Sequence, residues 1–311
     1  MRGEATAVQI AAMLAGLRVR GETSEIVAGV VRALREVMLK LDASNPEELV
    51  DTCGTGGGTV TTFNISTAAA LLAAGAGVRI AKHGNRSFTS RCGSADVLEA
   101  LGVRIDAPLD VMQNALERAG IVFMYAPMMH PAMKHVGPIR RELGIPTVMN
   151  IVGPLANPAG AARQVVGVAD DYRVPILAGA LAELGSIHSM VVHGEPGLDE
   201  ISPIGTTRVV EIRNGTASEW RLDPADFGLE KGTPDQLAGG GPEDNARIIT
   251  ETLSGGGTEA GRAAVVLNAA AAIYLSGKVD SYKEAVESAK SALINREGIN
   301  ALERLRKACA A

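Results

Sequence analysis

Asp51-Thr52-Cys53-Gly54-Thr55-Gly56-Gly57-Gly58, followed shortly by Asn64-Ile65-Ser66-Thr67, sets the fold class of this chain. A short apolar segment runs into a glycine loop, and a helix begins a few residues later. In that layout glycines let backbone N–H groups turn toward an anion, and the helix start adds unsatisfied donors and its positive dipole end. Neither the G-x-G-x-x-G nor the G-x-x-x-x-G-K-S/T spacing is present, so the loop is neither a dinucleotide fingerprint nor a Walker loop. Taken alone, the glycines fit equally well with a tight turn ahead of a helix capped by Asn64 or Ser66.

Outward from this segment, short apolar stretches at 78–81, 121–124, 165–168 and 189–192 alternate with helical segments at 67–76, 95–101 and 175–184. Such alternation predicts an α/β domain with a mostly parallel sheet flanked by helices. Val209 to Arg213, Asn214-Gly215 and Trp220 to Leu222 read as an appended hairpin. The first 45 residues read as helices: Ile10, Met13, Leu14 and Leu17 share one face, and Thr23-Ser24-Glu25 opens a second periodic run through Leu39. From Ala246 the chain is helical, broken at 254–257 and near Gly277.

The 311 residues suffice for one large or two modest domains, and 36 glycines against 3% aromatics predict an aliphatic core with many turns. With 30 Lys+Arg against 35 Asp+Glu the net charge is −5, so no overall field favours nucleic acid or an anionic membrane. Cys53, Cys92 and Cys309 form no C-x-x-C pair and are odd in number, which predicts a reducing, cytoplasmic setting. No stretch reaches the ~20 apolar residues of a membrane span, and the N-terminus lacks a signal-peptide cleavage pattern.

A second polar cluster, Lys82-His83-Gly84-Asn85-Arg86-Ser87-Phe88-Thr89-Ser90-Arg91-Cys92-Gly93-Ser94, reads as a loop after the strand at 78–81. Its cations, hydroxyls and N–H groups suit phosphate oxygens. Two such loops at the ends of successive strands fit ligand binding in an open α/β sheet.

These segments, with His130-Pro131-Ala132-Met133-Lys134, Gly153-Pro154-Leu155-Ala156-Asn157-Pro158 and Leu198-Asp199-Glu200-Ile201-Ser202, resemble anthranilate phosphoribosyltransferase in order and spacing over nearly the whole chain. The resemblance implies a small all-helical domain (1–47 and 130–152) and a larger α/β domain (48–129 and 153–311). It implies transfer of the phosphoribosyl group of phosphoribosyl pyrophosphate to the amine of anthranilate, with Mg²⁺, in a homodimer. It implies donor contacts at Gly54, Gly57, Gly58, Thr62, Asn64, Ile65, Ser66, Thr67, Lys82, His83, Gly84, Asn85, Arg86, Ser87, Phe88, Thr89 and Ser94. Asn85 and Arg140 match the positions that meet anthranilate, and Ser66, Asp199 and Glu200 those that hold magnesium. No acid–base catalyst is expected, since an aromatic amine is neutral at pH 7; Lys82 and Asn85 position the transition state.

Two departures stand out. Gly58 replaces the usual acid after Gly-Thr-Gly-Gly, which leaves the number of metal ions open, and the chain starts some two dozen residues later than the family does, which predicts a weakened or altered dimer. The rivals are a pyrimidine nucleoside phosphorylase, which shares only the KHGNRS and GSADVLEALG segments, a paralogue using another aromatic amine, and a non-catalytic sugar-phosphate binder.

Overall fold

The computed structural model describes residues 3–87 and 91–310. The chain opens with α1 (Ala7–Arg20), capped by Thr6, and α2 (Ser24–Val37), capped by Thr23. In α2, Val27, Val31 and Leu34 recur at helical spacing and are buried, and this face packs on the later helix α8 (Val174–Glu183). On α1 Ile10 and Leu14 are buried, but Met13, predicted to share their face, is 55% exposed. It lies three residues from Ile10, and the apolar stripe is narrower than the periodicity implied.

β1 (Val50–Gly54), α3 (Ile65–Gly75), β2 (Ile80–Gly84), α4 (Ser94–Ala100), α5 (Leu109–Ala119) and β3 (Ile121–Tyr125) follow. A short turn, α6 (Ala126–Met129), leads to α7 (Met133–Leu143), which packs on α1. The chain then returns through 153–161 to β4 (Arg163–Gly167), α8, β5 (His188–Gly194) and the hairpin β6 (Thr207–Arg213) and β7 (Thr216–Leu222). The end of the chain is α9 (Pro242–Leu253), α10 (Glu259–Leu275), α11 (Tyr282–Ile294) and α12 (Glu297–Cys309).

Among the described residues the strands form one sheet in the order β3-β2-β1-β4-β5-β6-β7, parallel through β5 and antiparallel beyond it. Successive strand residues feed opposite faces. Val165, Met190, Val192 and Val209 join one core with α3, α10, α11 and α12, while Val166, Val191, Val210 and Ile212 join a second with α2 and α8. The connections from β1 run outward one way to β2 and β3, and β4 and β5 lie on its other side. The strand order therefore switches between β1 and β4, where a crevice at the carboxyl ends is expected. Among the described residues no helix is long and apolar enough to cross a membrane.

Candidate active site

The Lys82 cluster corrects the sequence reading. Lys82, His83 and Gly84 are strand, not loop: β2 pairs with β3 in the register Lys82↔Phe123 and His83↔Met124, and both Lys82 and His83 are buried. Alternation hid this, because two polar residues follow Ile80-Ala81 and a strand enclosed on both faces is expected to be apolar. The Lys82 ammonium donates to the Thr52 carbonyl, and lies 3.4 Å from Thr52 Oγ1 and 3.3 Å from Ser66 Oγ. Burial lowers its pKa, while the Asp51 and Glu200 carboxylates oppose that shift.

The glycine loop lies beside the acidic pair. Gly56 and Gly57 take positive φ values of 71° and 83°, and the Gly56 N–H donates to Asp199 Oδ2 at 2.8 Å. Thr59 is tied to the same stretch, its N–H to Gly197 O at 3.0 Å and its hydroxyl to Pro196 O at 2.7 Å. Glu200 Oε1 accepts the Ser66 N–H at 3.1 Å, at the start of α3, where the helix dipole favours an anion. The approach depends on missing side chains. A Cβ on Gly54 would stand 2.3 Å from Asp199 Oδ2, and one on Gly167, its register partner on β4, 1.7 Å from Asp199 O. The sequence reading missed Gly167; the available signal was a glycine closing an apolar strand.

Burial raises the affinity of both acids for a proton. For Asp199 the Gly56 N–H opposes the shift; for Glu200 the neighbouring Asp199 charge adds to it, and the carboxyl is pushed up to about 8. Two partly buried carboxylates and the Ser66 hydroxyl are oxygen donors of the kind a hard cation takes while keeping water and phosphate ligands. Gly58 is exposed; a Cβ there would lie 3.0 Å from Gly197 O and 3.6 Å from Asp199 Oδ1, so the acid usual at this position would stand beside Asp199.

The remaining expected donor residues divide by what they can offer. Ile65 and Thr67 are buried, with their N–H groups bonded to Phe63 O and Asn64 O, so their side chains belong to the core. Thr62 is partly buried just ahead of α3. Asn64 stands at the N-cap of α3 but its side chain bonds none of the helix N–H groups; its amide instead bridges Cys92 O at 3.1 Å and Asn245 Nδ2 at 2.8 Å, which fixes the glycine-loop exit against α9. Asn85 O accepts from the Ala95 N–H and the Ser94 hydroxyl. Arg86 is held by Asp96 and Glu99, each at 2.8 Å. Asp96 also accepts the Ser87 and Gly93 N–H groups. Burial alone would raise its pKa, but these donors bring it below the ordinary carboxylate value. Asp96 thus organises the loop, a role the sequence reading did not assign. Phe88 and Thr89 lie outside the described residues.

Arg140 lies half-buried on α7, which begins at Met133 and carries Pro138 inside it. Among the described residues Arg140 makes no ion pair, and desolvation lowers its pKa without a carboxylate to oppose it. The His83 and His130 rings meet at a tilt of 56°, centroids 4.9 Å apart, and the Nε2 of each is buried without a partner. Burial, then the His130 ring, hold His83 down to about 3. His188 opens β5, buried against Glu211 at 2.7 Å; His193, on the same strand, meets Val168 O at 2.8 Å.

The description "Glycosyl transferase family, helical bundle domain" matches residues 1–38 and "Glycosyl transferase family, a/b domain" residues 46–298. The anthranilate phosphoribosyltransferase of Rubrobacter xylanophilus is 50% identical over 304 residues, which is 98% of this chain and 88% of the relative. The chain belongs to the anthranilate phosphoribosyltransferase family. A crystal structure of the Thermus thermophilus family member superposes with a TM-score of 0.93 at 43% identity, covering 99% of this chain and 92% of the other. The Saccharomyces cerevisiae family member in complex with PRPP and Mg superposes at 0.88 and 32% identity, covering 98% and 85%.

Proposed function

We propose that this chain transfers the phosphoribosyl group of phosphoribosyl pyrophosphate to the amine of anthranilate, releasing pyrophosphate, with the donor seated at the carboxyl ends of β1, β2 and β4. The observation that carries the reading is the convergence there of the Gly56–Gly58 loop, Lys82, the start of α3 and the Asp199-Glu200 pair. The yeast relative in complex with PRPP and Mg supports the donor and metal assignment, and another structure of that protein, in complex with 4-fluoroanthranilate, supports the acceptor class. A pyrimidine nucleoside phosphorylase is disfavoured by the relatives named for the anthranilate enzyme.

When bound, magnesium neutralises the developing pyrophosphate charge, and Ser66, Asp199 and Glu200 are the residues that would hold it. The chain's own groups then do three things. Glycine-loop N–H groups and the α3 start offer preorganised donors to the phosphates. Lys82, already fixed by Thr52 and Ser66, places a buried cation beside the donor site. Arg140 offers a planar fork to the acceptor carboxylate and so orients the amine. No side chain needs to remove a proton before attack, and the low pKa of His83 keeps its ring neutral near the reacting groups. Two copies of the chain would pair through the helical part, as the family resemblance implies. The decisive assay follows anthranilate fluorescence with phosphoribosyl pyrophosphate and Mg²⁺; loss dependent on both is the expected result, and an unchanged signal refutes the reading.

A further inference from the structure

Asp51 is a fully buried carboxylate that the phosphoribosyl-transfer reading leaves unused, and the following inference rests on that reading. Its Oδ1 accepts the His83 N–H at 3.1 Å, and its Oδ2 accepts Asn157 Nδ2 at 2.7 Å. Asn157 is equally buried and fully engaged: Nδ2 also donates to Ala81 O at 2.8 Å, and Oδ1 accepts the Ala159 and Ala161 N–H groups at 2.9 and 3.4 Å. Asn157 belongs to the segment 153–161, which brings the chain back from α7 into β4. One polar pair therefore ties β1, β2 and that returning segment together.

The returning segment in turn holds the two histidines. The His83 ring donates to the Gly153 carbonyl and the His130 ring to the Ala156 carbonyl, contacts that oppose the lowering of both pKa values by burial. Asp51 thus reaches His83 twice, directly through its N–H and indirectly through Asn157 and the segment that meets its ring. Burying a charge costs more than packing two apolar side chains of like volume. The buried Lys82 ammonium beside it gives this carboxylate an electrostatic partner, and the bonds from the His83 N–H and Asn157 fix where it sits.

We propose that Asp51 and Asn157 are positioning residues for the transfer, holding the Lys82-His83 stretch of β2 in register with the 153–161 segment so that the lysine and the paired His83 and His130 rings keep one geometry.

The test uses full-length Asp51→Asn, Asn157→Asp and the Asp51→Asn/Asn157→Asp pair, assayed well below each melting temperature. Because a misplacement near 1 Å can cost about 100-fold, each single variant is expected to lose at least about tenfold in kcat, and the exchanged pair to recover part of it, since it restores the carboxylate–amide contact but leaves the Ala81 carbonyl without its donor. If Asn157→Asp, which sets a second carboxylate against Asp51 and the Ala81 carbonyl, does not fold, Asp51→Asn still decides, since it preserves volume. Hydrogen exchange at the His83 amide gives a second readout and should quicken in Asp51→Asn. Single variants with a lowered melting temperature, wild-type kcat and unchanged His83 exchange overturn the proposal. An inactive wild-type chain refutes the transfer reading instead, and His83 exchange alone then judges whether Asp51 fixes β2.

Discussion

Arg140 is half-buried and, among the described residues, makes no ion pair, an arrangement that costs desolvation unless a ligand supplies the anion. Arg140→Ala is expected to raise the anthranilate KM and cut kcat/KM about ten- to a hundredfold, the value of a charge-assisted pair of roughly 1.5–3 kcal/mol, while the donor KM moves little. Arg140→Lys should not restore it, because an ammonium lacks the planar fork. Steady-state kinetics with each substrate varied in turn check this, and a change confined to the donor constant would place Arg140 on the other side of the reaction. At His83 the sign of the pH dependence follows from its low folded pKa. An unfolded histidine titrates near 6.5 and the folded one near 3. The stability it contributes is complete above about pH 6.5 and is lost as pH falls toward 3, at up to about 1.4 kcal/mol per pH unit. Urea midpoints near pH 7 and pH 5 should therefore differ less in His83→Gln than in wild type; an equal difference would mean the ring is not the group responsible.

Between residues and elements, legibility changed with the kind of information required. The glycine loop before a helix was readable at 51–67, since both the backbone freedom of the turn and the apolar run are local. The β6–β7 hairpin, at Asn214-Gly215, was readable for the same reason. The strand character of Lys82 and His83 was not, because their burial is set by Asp51, Thr52 and β3, all distant in sequence. Asp96 and Asn245 were missed alike: a carboxylate bonded to two N–H groups and an amide bonded to Asn64 look like ordinary polar residues until the loop closes on them. Gly167 gives the element-scale test. Its missing Cβ admits the Asp199 backbone over the ends of β1 and β4, and a methyl group 1.7 Å from Asp199 O would force backbone to move. Gly167→Ala is expected to lower the melting temperature and to abolish activity to a greater degree than Gly56→Ala, which strains a positive φ but meets no atom within 4 Å. Parallel melting curves and initial rates decide it, and an active Gly167→Ala enzyme would show that the acidic stretch does not need this close approach.

At the scale of the whole molecule, the glycine loop and the acidic stretch come from separate parts of the chain, Gly56 from the β1–α3 connection and Asp199-Glu200 from the β5–β6 connection. A ligand bound between them would link both halves of the sheet and stabilise the native state by mass action. At a hundredfold excess over Kd the gain is about 2.7 kcal/mol, or about 5 °C for a chain of this size. The acids themselves work in the opposite direction when no ligand is present, since burial raises the pKa of both and Asp199 raises that of Glu200. A group whose folded pKa is raised loses stability as pH rises past its unfolded value, so near pH 7.5 the buried pair, with Glu200 held near 8, is a cost to the free protein. Replacing both residues by alanine should therefore leave the free melting temperature unchanged or higher, with an unaltered far-UV circular dichroism spectrum, while the shift given by phosphoribosyl pyrophosphate with Mg²⁺ disappears and activity collapses. A double variant that keeps the ligand-induced shift would move the metal and donor site elsewhere. One that melts well below wild type without ligand would instead show that the bonds from Gly56 and Ser66 make the pair a structural clasp.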